Sequence, residues 1–157
     1  MKGVTTINQS FFYTLPVVDG FNWGETENTA GLKLMVSTNG TERPVSGNKV
    51  TFRNSGKDNV EISWSSDNGD FTVVLKEKTL MINAKNQLKS NWFLDLNVAK
   101  ASKTSVTTIG DKNIDYLFDG HKYQMNITKG SFEKPKNGAL YRIRPEGQAI
   151  VLRMSDE

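Results

Sequence analysis

Apolar and polar side chains that alternate step by step, broken by turn residues about every ten positions, limit this chain to extended structure. A period of two turns one face of a strand toward a core and the other toward water, whereas a helix repeats at about 3.6 residues. Val60, Ile62 and Trp64 alternate with Glu61 and Ser63, and Ser65-Ser66-Asp67-Asn68-Gly69 turns the chain into Phe71, Val73 and Leu75. This reads as a hairpin with one buried face. A sharper hairpin runs through Ile114-Asp115-Tyr116-Leu117-Phe118, turns at Asp119-Gly120 and returns as Tyr123, Met125 and Ile127 between Lys122, Gln124 and Asn126. Asp-Gly favours the tight turn with positive φ at both corners. Leu140 to Arg144 and Gln148 to Met154 flank Pro145-Glu146-Gly147 and read as a third hairpin closing the sheet.

Further strands are expected at Phe11-Phe12-Tyr13, Gly31 to Thr38 (ended by Asn39-Gly40), Lys49 to Asn54, Thr79 to Asn83 and Trp92 to Val98. In the last of these, Trp92, Leu94, Leu96 and Val98 point inward, and Phe93, Asp95 and Asn97 point outward. Only Ala84 to Lys89 has the makings of a helical turn, too short to stand alone. The sum is about nine or ten short strands joined locally, without a βαβ rhythm. An all-β, antiparallel two-layer β-sandwich of jelly-roll-like type is the first reading, and a closed calycin-like β-barrel is the alternative. Residues 1–30 read as an N-terminal arm with an aromatic loop over Asp19 to Asn28, packed with a sandwich over residues 31–157 as a single domain.

Composition narrows the chemistry. The 157 residues suit one domain, and 8 Phe, 4 Tyr and 3 Trp supply much of the buried area that a 36% hydrophobic content needs. Twenty Lys plus Arg against 17 Asp plus Glu leave a net charge of only +3. Lys33, Lys49, Lys76, Lys78, Lys100 and Arg142 are scattered instead of forming a stripe, which argues against nucleic acid as a partner. No run approaches the roughly 18 apolar residues of a membrane span, so no membrane insertion is expected. The opening Met1-Lys2-Gly3-Val4-Thr5-Thr6 has no secretory apolar run, which leaves the cellular address open.

Catalytic groups are sparse. The chain has no Cys and one His, whereas nucleophilic catalysis needs a base beside the nucleophile. His121 follows the Asp119-Gly120 corner and belongs on a solvated hairpin tip. No metal site is expected, because one His leaves only carboxylates and none has calcium-loop spacing. Glu25, Glu27, Asp70 and Asp95 are the acids near aromatic residues, but a glycosidase needs two acids facing each other across a cleft. Scattered surface acids are the simpler reading, so the chain is read as no enzyme, with no catalytic residue and no cofactor.

What remains is aromatic. Sugars stack their C–H faces on exposed rings and take hydrogen bonds from neighbouring polar groups. In Phe21-Asn22-Trp23-Gly24-Glu25 a Trp stands in a polar, turn-rich segment, so Phe21, Asn22, Trp23 and Glu25 are the candidate ligand-binding residues. The competing reading is that these rings cap an open end of the sandwich. Trp64 and Trp92 lie in phase with apolar neighbours and belong to the core. The triplets Asn8-Gln9-Ser10, Asn39-Gly40-Thr41 and Asn126-Ile127-Thr128 fit the glycosylation pattern, which chance also produces.

Trp92-Phe93-Leu94-Asp95-Leu96, the run Ile114 to Tyr123 and Ile127-Thr128-Lys129-Gly130 resemble the β-sandwich modules that accompany glycoside hydrolases of gut Bacteroidetes-type bacteria. The resemblance covers about half the chain and rests on hairpin chemistry. It implies a bacterial module, periplasmic, cell-surface or secreted, that buttresses a helical catalytic domain without supplying its acid or base. The expected function is a non-catalytic module of carbohydrate processing whose partners are a glycan or a catalytic domain. The alternatives are a carrier of a small apolar ligand in a barrel, which needs a cavity of a few hundred Å³, and a structural or adhesive subunit presenting an apolar patch or an open strand edge. Oligomeric state is left open.

Overall fold

The computed structural model describes residues 21–22, 30–45, 48–54, 59–66, 69–85, 91–97, 104–133 and 140–156. Fourteen strands run through them. In chain order they are β1 (Phe21–Asn22), β2 (Ala30–Thr38), β3 (Thr41–Pro44), β4 (Asn48–Asn54), β5 (Asn59–Ser66), β6 (Gly69–Lys76) and β7 (Thr79–Lys85). These are followed by β8 (Asn91–Asn97), β9 (Thr104–Ile109), β10 (Asn113–Phe118), β11 (His121–Lys129), β12 (Ser131–Glu133), β13 (Leu140–Arg144) and β14 (Ala149–Asp156). The smaller sheet has six strands in the order β1-β2-β8-β13-β12, with β3 also paired to β2. The larger has eight, in the order β4-β5-β6-β7-β14-β11-β10-β9. All pairings are antiparallel except β1 with β2.

The protein is therefore a β-sandwich, as the alternation predicts. Neither sheet closes on itself, so the barrel alternative is corrected: the larger sheet ends at β4 and β9. The reason lies in where the chain changes layer. Among the described strands the chain changes layer from β3 to β4, β7 to β8, β8 to β9, β11 to β12 and β13 to β14, and the crossing from β11 to β12 passes through Gly130. Gly130 adopts φ +127, which L side chains rarely take, and a Cβ there would stand 2.9 Å from the Arg144 carbonyl oxygen. Lys112 Nζ donates to the Gly130 carbonyl at 2.6 Å, which pins the crossing.

The third expected hairpin is also corrected. Pro145-Glu146-Gly147 does turn the chain, with Gly147 at φ +64 and reciprocal backbone bonds between Glu146 and Ala149 of 2.9 and 3.2 Å. But β13 pairs with β8 and β12, whereas β14 pairs with β7 and β11. The turn carries the chain from one layer to the other. Tyr141 and Ile143 then enter the core from one sheet and Ile150 and Leu152 from the other.

The other two hairpins form as expected. Asp119 and Gly120 have φ of 52 and 83, with Phe118 opposite His121, and Ser66 stands opposite Gly69. Asn39 and Gly40 repeat the pair, at φ 53 and 83, and the chain returns as β3. The expected helical turn starts instead as sheet: Ala84 and Lys85 complete β7, with Ala84 buried opposite Phe71 and its N–H donating to Gln148 O at 2.9 Å. Residues 86–89 of that expectation lie outside the described residues, as do Phe11 to Tyr13.

The core lies between the layers. Trp64 stacks on Phe71 at 5.6 Å, and Phe71 meets Trp92 edge-on at 5.7 Å, so one ring cluster joins β5 and β6 to β8 of the opposite sheet. Trp64 and Trp92 are each 2% exposed, as the periodicity required. Rings buried to this degree contribute about 1.5–3 kcal/mol each, and they fix how the sheets sit.

Candidate functional site

Once the inward positions are assigned to the core, chemistry is left to the two outward faces. On the smaller sheet the outward side chains of β8 include Phe93 and Asp95, and β13 contributes Arg142 directly opposite Asp95. Three strands away from β13, across β8 and β2, Glu42 projects from β3. Arg142 binds both carboxylates. Its Nε and Nη2 donate to Asp95 Oδ1 and Oδ2 at 2.8 and 3.1 Å, and its Nη1 and Nη2 donate to Glu42 Oε2 and Oε1 at 2.8 and 2.9 Å. The guanidinium lies 3.7 Å from the centroid of the Phe93 ring, with that of Arg144 5.0 Å away. Arg144 is held in turn by Glu133.

Arg142 is 2% exposed and Phe93 is fully buried although both face outward. Planar, bidentate pairing and ring stacking are what a guanidinium does and an ammonium does not. The bond to Asp95 is the main reason that the Arg142 proton is held above the ordinary arginine range; burial opposes it, and Glu42 reinforces it. With two carboxylates and a ring already engaged, Arg142 acts as a cross-strand tie.

The outward face of the larger sheet is open. Asn113 stands opposite Asn126, and Asp115 opposite Gln124, on β10 and β11. Their side chains join: Gln124 Nε2 donates to Asp115 Oδ1 at 2.8 Å, Asn113 Nδ2 to the same oxygen at 3.3 Å, and Asn126 Nδ2 to Gln124 Oε1 at 3.1 Å. All four are half-buried, and each retains polar capacity beyond these bonds. Exposed Arg153 stands opposite Asn126 on β14, and exposed Lys122 follows toward the hairpin tip. Farther across the sheet Ser63 and Thr72 share a hydroxyl bond of 3.1 Å, and Met81, 36% exposed, stands abreast of Val74 and Val151. This is a flat surface of positioned amides and a carboxylate beside a small apolar strip.

The residues singled out from the sequence fare unevenly. The backbone of Phe21 and Asn22 forms β1 beside Ala30 and Gly31, where an aromatic loop was expected. Two ladder positions next to β2 suffice to make that segment sheet. Trp23, Glu25 and Glu27 lie outside the described residues. Asp70 is exposed on the outward face of the larger sheet, and Asp95 is on the outward face of the smaller. Both layers separate them, so they do not flank one bond. His121 is exposed at its hairpin tip, as expected. The amide ladder was not foreseen as a unit. Its signal was two adjacent strands whose outward positions carry Asn, Gln and Asp where Thr, Lys or Glu is commoner on a solvated face.

Compared with protein-family models, curated proteins and solved structures, the chain finds no match.

Proposed function

We propose that this chain is a non-catalytic β-sandwich module of carbohydrate processing, which binds glycan weakly through the outward face of β10, β11 and β14 or docks that face to a catalytic domain. The observation that carries the reading is the Asn113–Asp115–Gln124–Asn126 ladder. Amide and carboxylate groups already held by one another lose little freedom when a ligand arrives, and they offer donors and acceptors in the mixture that sugar hydroxyls accept. Met81 with Val74 and Val151 adds an apolar strip on the same face for a C–H surface. The resemblance of the Trp92–Leu96 and Ile114–Tyr123 runs to hydrolase-associated sandwiches supports the same reading and brings with it a bacterial, extracytoplasmic setting.

A glycan array and a pull-down against glycoside hydrolase catalytic domains test the proposal together. Binding that falls at least about tenfold in Asp115→Ala or Gln124→Ala, a loss of about 1.4 kcal/mol, supports it. Blank results in both assays from a folded protein remove it.

A further inference from the structure

The four lateral edges of the two sheets are not equally protected. Unpaired strand edges invite other strands, and proteins blunt them with charge, proline, bulges or brevity. On the smaller sheet, one edge is shared by β1, two residues long, and by β3, which carries Glu42, Arg43 and Pro44, and the other is β12, three residues long. On the larger sheet, β4 carries Lys49 and Arg53. The remaining edge, β9, reads Thr104-Ser105-Val106-Thr107-Thr108-Ile109, with no charge, no proline and no glycine. A six-residue segment of that composition has the signature of strand addition. Among the described residues β9 pairs only with β10, and Ser105, Thr107, Thr108 and Ile109 are exposed on both of its faces.

One face of this strand continues the core. Ile109 stands opposite Ile114 and Val106 opposite Tyr116, so both point to the inner side of the larger sheet. Ile109 is nonetheless 44% exposed. A β-bulge at Thr107, whose hydroxyl donates to Asp115 O at 3.0 Å, breaks the edge into two short runs. Short runs limit the number of ladder bonds a partner gains, so pairing here is reversible and does not propagate.

We propose that β9 pairs antiparallel with β9 of a second copy of this chain, joining two eight-stranded sheets across a twofold axis. The occupant follows from the strand itself. A neutral edge meets its own copy without charge repulsion, a twofold axis perpendicular to the sheet keeps inner faces on one side, and Val106 and Ile109 of each copy then extend the other's apolar ledge. This goes beyond the glycan reading and does not depend on it.

Sedimentation of the full chain over a wide concentration range should show a monomer–dimer equilibrium, with association weakened at least tenfold in Thr108→Lys and, independently, in Ser105→Lys. Because the chain has no cysteine, Thr108→Cys gives a single site for a spin label, and two labels on adjacent strands about 5 Å apart should report a short distance between copies. Wild-type protein that stays monomeric at every concentration overturns the proposal, as does a dimer that persists in both lysine variants or shows no short distance. A different extended partner captured by β9 while the chain alone stays monomeric overturns the choice of a second copy.

Discussion

The outward faces of the two sheets are built by the same alternation and end in opposite states. On the smaller sheet Phe93, Asp95 and Arg142 are buried and tied together; on the larger, Asn113, Asp115, Gln124 and Asn126 remain half-exposed and open to a ligand. The contrast shows that a period of two tells which side of a sheet a residue takes, and nothing about whether that side is covered. The covered face holds its ions in bidentate pairs, because an unpaired ion out of water costs several kcal/mol, whereas the open face sets one carboxylate, Asp115, among amides and leaves Lys122 and Arg153 exposed to water.

Substitutions break this contrast in a definite order. Arg142→Met removes the shared partner of Asp95 and Glu42, and urea unfolding should show a loss of about 3–5 kcal/mol, since a buried carboxylate is left unpaired. Most of that penalty belongs to Asp95, because Glu42, 37% exposed, regains water. Arg142→Met with Asp95→Leu should therefore recover much of the loss; a double variant no more stable than the single would show that the tie itself, not the stranded charge, matters. The proton linkage has a simple sign. A folded pKa above the unfolded one contributes stability at every pH below the ordinary arginine value, so this contribution should stay constant from neutral pH to about 10.

Gly130→Ala tests the joint between the two layers. The left-handed φ and the 2.9 Å approach to Arg144 O predict a loss of about 2–3 kcal/mol in the same assay. A loss below about 0.5 kcal/mol would show that the crossing has another way to pass. The smallest effect belongs to the open face. Gln124→Ala should change stability by no more than about 1 kcal/mol, because the groups it leaves can find water; a loss as large as that of Arg142→Met would place the ladder among the structural ties and weaken its role as a binding surface.

Much of the fold was legible before the structure. The strands with clean alternation, from β5 to β8 and β10 to β11, stand where the pattern put them, because burial on one side acts on every second residue and leaves its mark locally. The strands that escaped notice are β1, β3, β9 and β12. Two are too short for a period to show, β3 holds a proline and two charges, and β9 is a run of Thr, Ser and Val in which the period is blurred. The site was less legible. Asp95 and Arg142 are 47 residues apart and Arg142 and Glu42 are 100 apart, so nothing in the linear order announces their meeting.

The sequence by itself determined that this protein is made of strands, which side each residue of a well-patterned strand takes, and where the tight Asp119-Gly120 turn reverses the chain, since these are properties of neighbours along the backbone. Only the tertiary structure decided that β13 and β14 join different sheets, that Arg142 unites Asp95 with Glu42 over Phe93, and that four outward amides and acids form one ladder. The physical reason is register: which strand lies beside which depends on packing between residues far apart in the chain, and a shift of one place would turn every one of these side chains to the other face.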